Sequence, residues 1–340
     1  MSIENIEICF IIGTRPQYVK FKPIHDYLRR NKYKFFTIDT NQHYSDNMSK
    51  SFIKEFNLQI DYNLHISNIN TIDFISKTIS GLYDIFIERK PSIVVVMGDT
   101  NTTLCGAIAA NKIGLPVAHI EAGMRCGDKK RPEEMNRVIT DYISDIHFTS
   151  RIDDNINVSN PIYTGDLEIT LLNEMNKNGL IPTCRFEDYI FMTIHRDENV
   201  NVERMNFIFQ ECKNSGEHFI FPLHHRTRKF INQYNIDMPN NIKVVNPFCY
   251  TDTVNMLSAC KAIVSDSGGI LKTSAFFGKK CLVPLKCTEY PDLIQMGYAK
   301  LGIDFNWLLK ENLNPDRKRY YVTNSCSIIC DALVNNGNIL

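Results

Sequence analysis

Apolar residues along this chain fall into short runs that alternate with stretches of three- and four-residue spacing. Ile6–Ile12, Phe35–Asp39, Ser92–Met97, Pro116–Ile120, Ile146–Thr149 and Ile162–Thr164 have the length and near-continuous apolar character of strands buried on both faces. Between them, Val19, Phe21, Ile24, Tyr27 and Leu28 follow helical spacing, as do Phe52–Phe56, Ile72–Ile87 and Leu104–Ile113. The alternation restarts after Thr164-Gly165-Asp166. It gives a helix over Leu167–Asn178, a strand over Tyr189–Ile194, a helix over Val202–Lys213 and strands over His218–Pro222 and Ile242–Val245. A helix over Thr251–Ala259 follows. Strands alternating with helices predict parallel, doubly wound sheets with right-handed crossovers. The restart places a domain boundary near residue 165, giving domains 1–165 and 166–340 that face a cleft.

Residues 262–285 form the most informative unit. A short strand, Ala262–Val264, runs into Ser265-Asp-Ser-Gly-Gly269, then a helical pattern (Ile270, Leu271, Ser274, Phe277), Gly278 and the next strand, Cys281–Leu285. Adjacent glycines at a helix start expose backbone N–H groups, and the helix dipole adds positive potential, so a phosphate or diphosphate fits there. A plain, well-capped strand-to-helix turn explains the same residues. A similar unit opens the chain, where Gly13-Thr14-Arg15-Pro16 follows the first strand and Arg15 and Lys20 can both face an anion.

Ligands of doubly wound sheets bind at the carboxyl ends of the strands, and the chemistry-bearing residues cluster there. Asp99, Glu121 and Glu133 lie in strand-end or helix-start loops, as acid–base carboxylates would. Each has a structural alternative: Asp99 as a helix cap, Glu121 as a partner of Arg125, Glu133 as first-turn charge. His195 with Arg196, and His224-His225 with Arg226 and Arg228, suit an anion or a basic helix start equally. Walker, G-x-G-x-x-G, G-x-S-x-G and H-E-x-x-H patterns are absent, so no metal or nicotinamide is expected.

The charge balance is zero over 340 residues, with no basic footprint for nucleic acid or an anionic membrane. Eleven scattered cysteines without repeated C-x-x-C read as thiols of a reducing compartment. No stretch has the length of a membrane span, and the N-terminus lacks a leader pattern. A cytoplasmic protein is expected.

Several motifs occur together in one order: Gly13-Thr-Arg-Pro-Gln-Tyr-Val-Lys20, Gln42-His43, Gly98-Asp-Thr100 and His119-Ile-Glu-Ala-Gly-Met-Arg125. Pro132-Glu-Glu-Met-Asn-Arg137, Thr164-Gly165, Thr193-Ile-His-Arg-Asp-Glu-Asn199 and Ser265-Asp-Ser-Gly-Gly269 continue it. In this the chain resembles the UDP-N-acetylglucosamine 2-epimerase family, from about residue 8 to residue 295. The resemblance implies an α/β protein of two Rossmann-like domains of the GT-B type, a UDP-sugar substrate, no cofactor and a homodimer. It implies inversion at C2 by anti-elimination and re-addition of UDP, with Asp99, Glu121 and Glu133 as acid–base carboxylates. His195 would stabilise the phosphate. Arg15, Ser267, Gly268 and Gly269 would hold the diphosphate, with Lys20, Gln42, His43, Arg137, His224 and Thr273 as further substrate contacts. A hydrolysing relative that releases free sugar, a glycosyltransferase and an inactive sugar-nucleotide binder are the competing expectations.

The chain departs from that family in three places, one of them a short loop before Pro132. The family's usual Ser-Gly-Gly-Ile-Gln-Glu-Glu is Ser267-Gly-Gly-Ile-Leu-Lys272-Thr273, and the loop Leu285-Lys-Cys-Thr-Glu-Tyr290-Pro-Asp292 lacks two arginines. Apolar surface at Leu271, Leu285 and Tyr290 would favour a deoxygenated 2-acetamido sugar, such as a 2,6-dideoxyhexose, over the N-acetylglucosamine nucleotide.

Overall fold

The computed structural model describes residues 6–42, 46–66, 69–181, 188–310 and 324–336. The chain divides into two compact units, one of Met1–Leu171 with Tyr320–Leu340, the other of Leu172–Arg319.

Among the described residues the first unit has seven strands: β1 (Ile8–Ile12), β2 (Phe35–Asp39), β3 (Tyr62–Asn63), β4 (Ile93–Met97), β5 (Val117–Ile120), β6 (Ile146–Thr149) and β7 (Pro161–Tyr163). They form one sheet in the order β3-β2-β1-β4-β5-β6-β7, every neighbour parallel. β1, β4 and β5 are buried throughout, as their unbroken apolar sequences require in a sheet covered on both faces. On one face Cys9, Ile11, Val94 and Val96 pack against Leu82 and Phe86 of the helix Thr71–Arg89 and against Cys105 and Ala109 of the helix Asn101–Lys112.

The second unit repeats the plan with β8 (Ile190–Thr193), β9 (Phe219–Pro222), β10 (Ile242–Val245), β11 (Ala262–Ser265), β12 (Cys281–Val283) and β13 (Ala299–Leu301). Its sheet runs β10-β9-β8-β11-β12-β13, again all parallel. Met192, Phe221 and Val264 pack with Met205, Ile208 and Phe209 of the helix Val202–Ser215 in its core.

The strand order reverses between β1 and β4 in the first unit and between β8 and β11 in the second. At such a reversal neighbouring connections leave in opposite directions and open a crevice beyond the strand ends. The loops after β1 and β4, and those after β8 and β11, are the ones that carry Arg15, Asp99, His195 and Ser267.

The division of the chain differs from the expected one at 165. The first unit extends to Leu171 and regains the C-terminal segment, because the helix Ser325–Asn336 buries Cys326, Ile329, Cys330 and Leu333 and packs on the helix Arg15–Arg30.

Candidate active site

In the first unit the loops at the reversal are tied to each other. Gln17, buried in the first turn of the helix after β1, accepts from the Thr14 N–H at 3.1 Å and donates to the Met97 carbonyl at 2.9 Å and Thr103 Oγ1 at 3.0 Å. Beyond β5 the chain turns at Glu121, which has φ +67°, a conformation costing a non-glycine residue on the order of 1 kcal/mol or more. Gly123 follows with φ +81°, and a Cβ there would lie 2.3 Å from the Asp154 carbonyl oxygen, so only glycine fits. The turn delivers the Glu121 carboxylate, buried, into an ion pair with Lys20. Gly98 lies beside that pair, its Cβ position 3.5 Å from Glu121 Oε2 and 3.6 Å from Lys20 Nζ.

Asp99, the next residue, is half-exposed and paired with Arg137. Arg137 also holds buried Glu134 at 3.0 Å, and Asn136 donates to the Asp99 carbonyl at 2.9 Å. Glu133 is exposed one turn before Asn136 and Arg137, on the helix face that reaches Asp99. Burial acts to raise the Glu134 carboxyl, but the N–H groups of Cys126 and Gly127 and the Arg137 charge bring it below its usual value. His119 stands between Asp141 Oδ1 (2.7 Å) and the Gly98 carbonyl (2.8 Å), and Asp141 also takes Arg125 at 2.7 Å and the Gly123 N–H at 3.1 Å. This network fixes the residues before Asp99 and after Glu121 together.

Asp39, fully buried at the end of β2, is of another kind. Its donors, Tyr18 OH at 2.9 Å, the Asn41 N–H at 2.8 Å and Asn63 Nδ2 at 3.2 Å, are neutral, and burial pushes its carboxyl up to about 6.

In the second unit the same positions hold one buried carboxylate and a glycine turn. Asp266, immediately after β11, is buried and accepts from the His195 N–H (3.0 Å), the Arg196 N–H (3.0 Å) and Asn199 Nδ2 (2.9 Å). Its Oδ1 lies 3.0 Å from His195 Nδ1. Burial works to raise this carboxyl, yet the bond and charge from His195, with Asn199 and the Arg196 N–H, hold it below the usual range. The helix Gly268–Phe276 starts one residue later, with Ser267 at its N-cap making no side-chain cap bond. First-turn N–H groups of such a helix suit an anion.

The sequence profile of the UDP-N-acetylglucosamine 2-epimerase family matches residues 26–307. The chain belongs to that family. It is 34% identical over 320 residues to the UDP-N-acetylglucosamine 2-epimerase of Methanococcus maripaludis, covering 85% of this chain and 86% of the relative. It is 31% identical over 313 residues to the UDP-2,3-diacetamido-2,3-dideoxy-D-glucuronate 2-epimerase of Pseudomonas aeruginosa, covering 86% and 87%. Its fold matches the crystal structure of the Methanocaldococcus jannaschii UDP-GlcNAc 2-epimerase in complex with UDP-GlcNAc and UDP. The TM-score is 0.88 at 29% identity, over 97% of this chain and all of that one.

Not every residue expected at this epimerase-family site is free to meet a ligand. Lys20 is engaged by Glu121 rather than held for an anion. Glu121 therefore does not pair with Arg125, which goes to Asp141. Gln42 caps the helix Asn101–Lys112, accepting from the Thr102 N–H at 2.9 Å and hydroxyl at 2.8 Å. Arg15 lays its guanidinium over the Phe52 ring at 4.9 Å, and burial lowers its pKa against the opposing field of Glu55. His224 is half-buried just before the helix His225–Gln233, and His43 lies outside the described residues. Thr273 is buried inside its helix, so it is packing rather than surface.

The departures from the family also lie in packing. Leu271, Leu285 and Tyr290 are buried. A Cβ at Gly268 would lie 3.0 Å from Tyr290 Cε2, and the buried Lys272 ammonium sits 5.7 Å from that ring's centre. Gly268 is thus needed first for the tyrosine, not only for a ligand. Sequence reasoning missed His119, Asp141, Glu134 and Asp266 as site-building residues; all four lie inside or beside the quoted motifs.

Proposed function

We propose that this protein is a non-hydrolysing 2-epimerase of a UDP-2-acetamido sugar, with UDP-N-acetylglucosamine as its reference substrate. The observation that carries this reading is the buried, left-handed Glu121 ion-paired to Lys20 beside Asp99, in a chain of the 2-epimerase family. A carboxylate takes the C2 proton, and the C–H electrons form the C1–C2 double bond as the C1–O bond breaks. The bonding pair leaves on the UDP β-phosphate oxygen. Re-addition of UDP at C1 and protonation of C2 from the opposite face give the epimer. Asp99, Glu121 and Glu133 share the proton transfers, while Arg15, His195 and the Ser267–Gly269 turn stabilise the charge that collects on diphosphate.

The helix Pro132–Ile143 buries its polar residues Glu134, Asn136, Arg137 and Asp141 and exposes Met135, Val138, Ile139 and Tyr142, the last 89% exposed. That exposed stripe supports a homodimer joined through this helix. The described cysteines are free, which supports assignment to the reducing cytoplasm, and no described helix is long and apolar enough to cross a membrane.

Incubation with UDP-N-acetylglucosamine tests the function. Conversion to a mixture with the C2 epimer, UDP still attached, is the expected result. Release of UDP with free sugar assigns the hydrolysing reaction instead, and an unchanged substrate refutes both.

A further inference from the structure

The second unit contains a carboxylate with more donors than its place after a strand requires. Asp266 has a fully buried side chain, and its two oxygens take two backbone N–H groups, the Asn199 amide and the His195 ring. The bond from His195 Nδ1 bridges the reversal between β8 and β11. The His195 imidazole, by contrast, is 46% exposed. A carboxylate accepts only, so the Nδ1 facing it carries the proton. Nε2, across the ring from the carboxylate, is the nitrogen left for a ligand.

We propose that Asp266 is a positioning residue for His195: it fixes the ring's rotamer and its Nδ1–H tautomer, and through the ring serves the leaving diphosphate. This rests on the role given to His195 above. With Nδ1 held by the carboxylate, Nε2 is the ring atom left to face a departing diphosphate, and an imidazolium donates to it from there. The guanidinium of Arg196, next in the chain, is itself paired with Glu289 at 3.5 Å. Asn199 and the two backbone N–H groups keep the carboxylate still while the ring responds to ligand. Ser267 and Gly268 directly follow Asp266, so one residue sets both the histidine and the entry to the helix Gly268–Phe276.

The test is a double-mutant cycle with Asp266→Asn and His195→Gln, read by kcat for 2-epimerisation and by UDP affinity. Asp266→Asn is expected to lower kcat by about 30-fold and to leave the Kd for UDP within about 3-fold. In the His195→Gln background it should cost less than about 3-fold, because its effect passes through the ring. An equal loss in both backgrounds makes Asp266 a structural residue only and overturns the proposal. A second arm needs no turnover and no stable variant: nitrogen-15 NMR of the wild-type His195 ring. A protonated Nδ1 is expected, and a ring protonated at Nε2 alone overturns the proposal. Should the wild type lack epimerase activity, the proposed function fails, and this spectrum still decides the placement of His195 by Asp266.

Discussion

Around the loops after β4 and β5 and the helix Pro132–Ile143, the first unit buries or half-buries carboxylates paired with cations: Glu121 with Lys20, Asp99 and Glu134 with Arg137, Asp141 with Arg125. The matching loops of the second unit bury a single carboxylate, Asp266, carry Asp197 and Glu198 at the surface, and continue into glycines. The sheets wind in the same order, so the winding itself does not set the chemistry. Paired carboxylates can exchange protons with a substrate, whereas a histidine backed by an anion and a helix N-terminus receive negative charge without exchanging it. Under the proposed function the first unit supplies the proton transfers, and the second unit, with Arg15 of the first, stabilises the leaving group.

The largest effects should come from the first unit. Glu121→Gln, Asp99→Asn and Glu133→Gln are each expected to lower kcat by about two orders of magnitude or more, with UDP affinity nearly unchanged. Glu121→Gln should also lower Tm, because it leaves Lys20 buried without its counter-charge. Half-exposed Asp99 should show no comparable drop. A variant that loses UDP binding but keeps kcat would erase the division between the units.

Gly268→Val sharpens the comparison from the other side. Its side chain meets the Tyr290 ring, so UDP affinity should fall by about 10-fold or more and kcat at saturation should fall less. Adding Tyr290→Ala restores binding if the ring is what the glycine accommodates, and leaves the loss intact if ligand approach is.

Self-association is a separate test of the first unit. Val138→Glu with Tyr142→Lys should convert dimers to monomers in light scattering at micromolar concentration, without unfolding, since both side chains are exposed. Monomeric wild-type protein refutes the assigned stripe.

The smallest effect concerns the contrast between Asp39 and Asp266, two buried strand-end aspartates whose pKa values move oppositely. The carboxyl of Asp39 is raised, so its stabilising contribution is present below pH ~4 and lost as pH rises through about 6. That of Asp266 is lowered, so its contribution is present above pH ~4 and lost as pH falls below that. Asp39→Asn should therefore stabilise by on the order of 1 kcal/mol at pH 8, with the gain vanishing at pH 4. Denaturant melts at the two pH values check it, and a gain that is larger at pH 4 contradicts it.

Much of this was legible in the sequence. Continuous apolar runs gave the buried strands, and Asp99, Glu121, His195 and Ser267 could be placed at strand ends before any coordinates. β3 and β13 were missed because Tyr62-Asn63 and Ala299-Lys300-Leu301 are short and interrupted by polar residues, with no continuous apolar run. The helix Ser325–Asn336 was not predicted, although Cys326, Ile329, Cys330 and Leu333 carry its spacing, and chain order alone could not return it to the first unit. The helix Pro132–Ile143 inverts the usual rule: its apolar stripe faces outward while Glu134, Arg137 and Asp141 are buried, so periodicity points its core face the wrong way. Roles such as those of His119 and Asp266 depend on which atoms meet across strands, and spacing carries no record of that.

Isotope exchange at C2 tests the division most directly. With UDP-N-acetylglucosamine in D2O, both the recovered substrate and its epimer should carry deuterium at C2, and Glu121→Gln should abolish the incorporation while UDP still binds. An epimer formed with its original C2 hydrogen retained would contradict proton transfer by these carboxylates.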